Sequence, residues 1–68
     1  MTIAERLKEE RIKNKLTQQE VADYLNIGRV SYTMYETGKN TPTTESLIKL
    51  ADLFKCSIDY LVGRYEKQ

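Results

Sequence analysis

Between Thr17 and Gly28 the sequence leaves room for one short helix and almost no connection after it. The hydroxyl of Thr17 can accept from the third backbone N–H of a helix, and Glu20 can reach back to the Thr17 N–H, which makes a capping box. The apolar positions Val21, Ala22 and Leu25 follow at once, and Asn26, which tolerates the left-handed backbone of a helix end, stops the pattern. A further helical segment starts at Arg29, after only Ile27 and Gly28. Two helices joined by about three or four residues must cross steeply.

Elsewhere the chain has few places to turn sharply. Three Gly and one Pro among 68 residues cannot serve a series of tight hairpins, whereas 40% hydrophobic and 31% charged residues suit a small helical core under a solvated surface. A chain of this length forms one domain and buries about 60% of the surface that its unfolded form exposes. Ile3, Leu7 and the stem of Arg11 share one stripe of a first helix that runs to about Asn14, with Glu and Lys on its solvated side. The segment from Arg29 to about Thr37 puts Tyr32 and Tyr35 on a core face, places Arg29, Val30, Thr33 and Met34 opposite, and ends at Gly38. After a loop at Lys39 to Pro42, Thr43 caps a fourth helix with Leu47, Leu50, Ala51 and Phe54 at helical spacing. Ser57 caps a short fifth helix with Ile58 and Leu61. The expectation is an all-α, compact five-helix fold in a single domain over residues 1–68, with an ordered core at about 3–62 and a tail at 63–68.

Composition excludes most chemistry. There is no His, so there is no imidazole base, and the single Cys56 can form neither an intrachain disulfide nor a cysteine zinc cluster. No set of nucleophile, base and orienting group stands out, so an enzyme is not expected, and neither is a metal, a cofactor or a small-molecule ligand. Cys56 is expected as a small core residue near the entry to the fifth helix. The N-terminal residues are charged where a secretory signal needs an apolar block, and no segment approaches the roughly 20 apolar residues of a membrane span. A cytoplasmic, soluble protein is expected.

The net charge of +1 conceals a local excess: residues 1–16 carry five basic against three acidic side chains. Between Leu16 and Lys39 the basic residues are Arg29 and Lys39, against Glu20, Asp23 and Glu36. Net charge therefore does not mark a nucleic-acid binder, and the pattern has to.

The informative stretch is LTQQEVADYLNIGRVSYTMYETGKNTP, residues 16–42. Its Thr-Gln-Gln-Glu start, Val-Ala pair, Gly-Arg opening of the next helix, Tyr-Glu-Thr-Gly-Lys, and the Pro after it are followed by Leu-Ile-Lys-Leu-Ala and Ser-Ile-Asp-Tyr-Leu. In this order they resemble the helix-turn-helix of the Cro and phage-repressor family, also called the xenobiotic-response-element family, from about Arg6 to Leu61. The resemblance implies a lambda-repressor-like domain whose second and third helices form the helix-turn-helix. It implies a transcriptional regulator, most simply a repressor, that binds double-stranded DNA as a homodimer on a pseudo-palindromic operator.

Carried over position by position, the family's base-reading residues fall on Arg29, Val30 and Met34, with Thr33 nearby. Phosphate contacts fall on Thr17, Gln18 and Gly28 at the two helix starts and on Lys39, Asn40 and Thr41 beyond Gly38. Arg11 and Glu36 match a structural ion pair between the first and third helices. Tyr60, Val62 and Tyr65 form a terminal apolar and aromatic cluster that suits a dimer interface. Val30 and Met34 depart from relatives with Gln or Ser there, which leaves fewer polar reading groups and more weight on DNA shape. The same departure, with the nearly neutral segment, supports an alternative: an antitoxin or partner-docking module in which DNA binding is secondary.

Overall fold

A hydroxyl side chain starts four of the five helices in the computed structural model, which describes residues 2–63. Thr2 caps α1 (Ile3–Lys13), Thr17 caps α2 (Gln18–Leu25), Thr43 caps α4 (Thr44–Phe54) and Ser57 caps α5 (Ile58–Val62). Two are full capping boxes. Thr17 Oγ1 accepts from the Glu20 N–H at 3.0 Å while the Thr17 N–H donates to Glu20 Oε1 at 2.8 Å, and Thr2 and Glu5 repeat the exchange. Only α3 (Arg29–Thr37) begins without a side-chain cap, at Gly28.

The helix ends share one device. Lys15, Asn26 and Lys55 adopt φ near +60°, and in each case the next residue's N–H returns to a carbonyl five positions back. These closures are Leu16 to Arg11, Ile27 to Ala22, and Cys56 to Ala51, at 3.0–3.1 Å. This is the Schellman-type ending, here built on residues that bear side chains. Gly38, at φ +84°, ends α3, where the left-handed backbone favours glycine.

The closures turn the apolar stripes inward. Leu7 of α1, Val21, Ala22 and Leu25 of α2, Tyr32 of α3, Leu47, Leu50, Ala51 and Phe54 of α4 and Leu61 of α5 form one buried cluster. α3 lies against α1 and α2, α4 against α2 and α5, and α1 also reaches α5. Among the described residues there is no strand, and no helix is long and apolar enough to cross a membrane.

The five expected helices are present, with starts and stops within a residue of those expected. Two side chains differ from expectation. Glu10 is not on the solvated side of α1: it is only 7% exposed, because it lies three residues from the buried Leu7 on the same face. Cys56 is half-buried, at the rim of an open cleft of about 430 Å³ that it forms with Glu10, Lys13, Asn14, Phe54, Lys55 and Tyr60. Burial pushes its thiol pKa up, aided by the Glu10 charge, which disfavours the thiolate.

Candidate nucleic-acid interface

The steep turn at Asn26 to Gly28 brings the N-terminal end of α2 beside the middle of α3, and a single carboxylate ties them together. Glu36 accepts four hydrogen bonds. Arg11 donates through Nε to Oε2 at 2.7 Å and through Nη2 to Oε1 at 3.2 Å, Tyr32 Oη donates to Oε2 at 2.5 Å, and Gln18 Nε2 donates to Oε1 at 3.1 Å. The Glu36 and Arg11 side chains are 3% and 13% exposed. A carboxylate offers about four acceptor positions, so Glu36 is fully used. Arg11 also donates to the Leu16 carbonyl, which fixes the α1–α2 connection.

Electrostatics follows from that geometry. Burial pushes the Glu36 pKa up, but hydrogen bonds from Arg11, Tyr32 and Gln18 outweigh it and hold it below the ordinary value. The hydrogen bond to Glu36 raises Arg11, and burial with the neighbouring carboxylate moves the Tyr32 phenol far above its usual range. The ion pair is charged and the phenol is neutral at physiological pH.

Around this anchor the outer surface of α3 is open. Arg29 is exposed and Val30 is 66% exposed, at the leading end of the helix. Thr33 and Met34 are half-buried. The Thr33 hydroxyl donates to Gln18 Oε1 at 3.0 Å, and Asn40 Nδ2 lies 3.2 Å from Met34 Sδ. Gln18 is therefore engaged at both ends of its amide and retains one N–H for an outside partner. Thr17 is exposed, with its oxygen on the α2 cap. Gly28 is exposed, its φ of −74° suits any residue, and a Cβ there would meet nothing within 4 Å. Nothing inside the fold requires glycine at that position. Lys39, Asn40 and Thr41 are exposed in the loop after Gly38.

The terminal cluster is differently placed from the α2–α3 surface. The Tyr60 ring lies 5.6 Å from the Arg6 guanidinium carbon, Val62 is half-buried against the core, and Tyr65 lies outside the described residues. Ile58 is the exposed apolar side chain of α5. Sequence reasoning missed the Tyr32 and Gln18 hydrogen bonds to Glu36. Tyr32 stands one helical turn before Glu36, a spacing that brings a phenol to a carboxylate, but an aromatic residue on an apolar face suggests core first.

Several known proteins are similar to this chain in sequence and fold. The helix-turn-helix family pattern matches residues 7–61. The chain is 44% identical over 66 residues to the HTH-type transcriptional regulator ImmR of Bacillus subtilis, covering 97% of this chain and 52% of that protein. It is 45% identical over 65 residues to the cryptic phage CTXphi transcriptional repressor RstR of Vibrio cholerae, covering 96% of this chain and 58% of that protein. The chain thus spans little more than half the length of these relatives. The structure superposes on the P22 c2 repressor in complex with a synthetic operator with a TM-score of 0.85 at 27% identity, over 91% of this chain and 94% of that one. A transcriptional regulator from Listeria innocua gives 0.86 at 34% identity, over 98% and 62%. By this match along most of its length, in sequence and in fold, the chain belongs to the helix-turn-helix family of the Cro and phage-repressor type.

Proposed function

We propose that this chain is the reading domain of a sequence-specific, double-stranded DNA-binding transcriptional regulator, a repressor that occupies a pseudo-palindromic operator as a homodimer. The observation that carries the reading is the exposed leading end of α3, Arg29 and Val30, held at a fixed angle to the start of α2 by the Glu36 hydrogen bonds. The relatives named as repressor and regulator, and the operator-bound P22 c2 structure, support it.

The mechanism follows from the two helix starts. The first N–H groups of α2, with the free Gln18 N–H and the Thr17 hydroxyl, meet one phosphate, whose charge the helix dipole favours. Gly28, which has no Cβ, lets backbone approach the duplex closely. α3 then lies in the major groove, where the Arg29 fork matches guanine O6 and N7 and Val30 meets a thymine methyl. Met34 adds apolar contact. Lys39, Asn40 and Thr41 hold the neighbouring backbone and add affinity with little selectivity.

Duplexes selected from a random pool, with binding measured by fluorescence anisotropy over a salt series, test the reading. Arg29→Ala is expected to cost about 1–3 kcal/mol on the selected duplex and little on random DNA. Lys39→Ala is expected to weaken both alike and to reduce the salt slope by about 1. Equal losses on both kinds of DNA for Arg29→Ala count against base readout. Absence of any selected duplex, with a protein partner retained through purification, supports the partner-docking alternative instead.

A further inference from the structure

We propose that Thr33 is a one-way reading residue: its hydroxyl oxygen presents only lone pairs to the major groove, and so selects a base that carries an exocyclic amino group, adenine or cytosine, over guanine or thymine on the strand it faces. The inference rests on the DNA-reading surface proposed above and adds a specificity that Arg29 and Val30 do not supply.

The polarity is set two hydrogen bonds away. Glu36 is paired with Arg11 and is an anion, which can only accept. The Gln18 atom 3.1 Å from Glu36 Oε1 must then be the amide nitrogen, since an oxygen there would face an oxygen. That fixes the amide, and its carbonyl oxygen is the end turned to Thr33, 3.0 Å from Oγ1. A carbonyl also only accepts, so the single Thr33 hydroxyl hydrogen points at Gln18. A free threonine hydroxyl rotates to suit either kind of partner, but this one is committed, and the oxygen retains lone pairs alone for anything outside.

Thr33 lies one turn along α3 from Arg29 and three residues from the exposed Val30. Each base pair shows one amino group in the major groove, adenine N6 or cytosine N4, and its location tells which strand carries it. An acceptor-only oxygen welcomes that group and opposes guanine O6 and N7, thymine O4 and phosphate oxygens. Arg29 only donates and Thr33 only accepts, so the two read complementary features, although Val30 and Met34 contribute no strong hydrogen-bonding group.

Base selection from a random duplex pool, repeated for the native protein, Arg29→Ala, Thr33→Val and Gln18→Leu, tests this. The native protein is expected to show one position per half-site where adenine and cytosine are preferred about 2- to 10-fold over guanine and thymine, the span of one net hydrogen bond. Thr33→Val should flatten that position and leave the one that Arg29→Ala flattens. Gln18→Leu frees the hydroxyl, so the amino preference at that position should disappear even as affinity falls evenly through the lost phosphate contact. If Gln18→Leu does not fold, proton exchange in the unbound native protein carries the test: one Gln18 side-chain N–H should exchange markedly more slowly than that of an unstructured glutamine, and equal rates overturn the fixed amide. Enrichment of no duplex at all defeats the DNA-reading function and this inference together. Enriched duplexes whose preferences Thr33→Val leaves unchanged, or changes only at the Arg29 position, overturn the role of Thr33 alone.

Discussion

Glu36 is the residue through which three helices hold one another, with α1 contributing Arg11, α2 Gln18 and α3 Tyr32. Its pKa is lower in the folded chain than the ordinary 4.5, so it contributes stability that is complete above about pH 4.5 and is lost as pH falls through the folded value. Thermal unfolding followed by circular dichroism should therefore show the gap between the native protein and Glu36→Gln narrowing as pH drops below that range. Arg11→Ala leaves a buried carboxylate without its cation and should cost about 3–5 kcal/mol at neutral pH. Tyr32→Phe removes one hydrogen bond to a charged group and should cost less, about 1–3 kcal/mol. At roughly 4–8 °C per kcal/mol in a domain of this size, the two are separable by melting temperature, and equal losses would mean that the phenol and the guanidinium act as one unit. The Arg11–Glu36 match was legible in the sequence. The part of Gln18 was not, because 18 residues separate it from Glu36 and only the tight α2–α3 crossing brings them together.

Helix boundaries were the most legible feature, because caps are local chemistry: Thr17 with Glu20, Thr43 and Ser57 each reach a backbone N–H within three residues. The left-handed lysines were not legible. Nothing in lysine favours φ near +60°, and the conformation is imposed by the closures that seat Leu16 and Cys56 against the core. Lys55→Gly removes that backbone cost and gives back part of it as unfolded-chain entropy, for an expected net gain of about 0.5–1 kcal/mol by chemical denaturation. A loss instead would show that the lysine stem packs usefully on α4. Gly28→Ser supplies the cap that α3 lacks, and stability should rise by a few tenths of a kcal/mol. Binding to the selected duplex should nevertheless weaken, since the added side chain stands where backbone would approach phosphate.

Over its described residues the molecule measures 37 × 23 × 19 Å and has one α3, the helix proposed above to enter the major groove. Successive major grooves on one face of a duplex lie about 34 Å apart, so a site read twice requires a second copy. Footprinting should show two protected half-sites at that spacing, and light scattering with the selected duplex should count two chains; one chain per duplex would refute the dimer. α1 lies against both α3 and α5, so its apolar stripe is completed only by chain that follows it by most of the domain. During synthesis at roughly 5–20 residues per second, that helix waits on the order of 2–10 seconds for α5 to emerge. The Glu, Lys and Arg side chains that make up much of it favour water, so the first of these five helices to emerge carries its own solvation while its apolar stripe waits for cover.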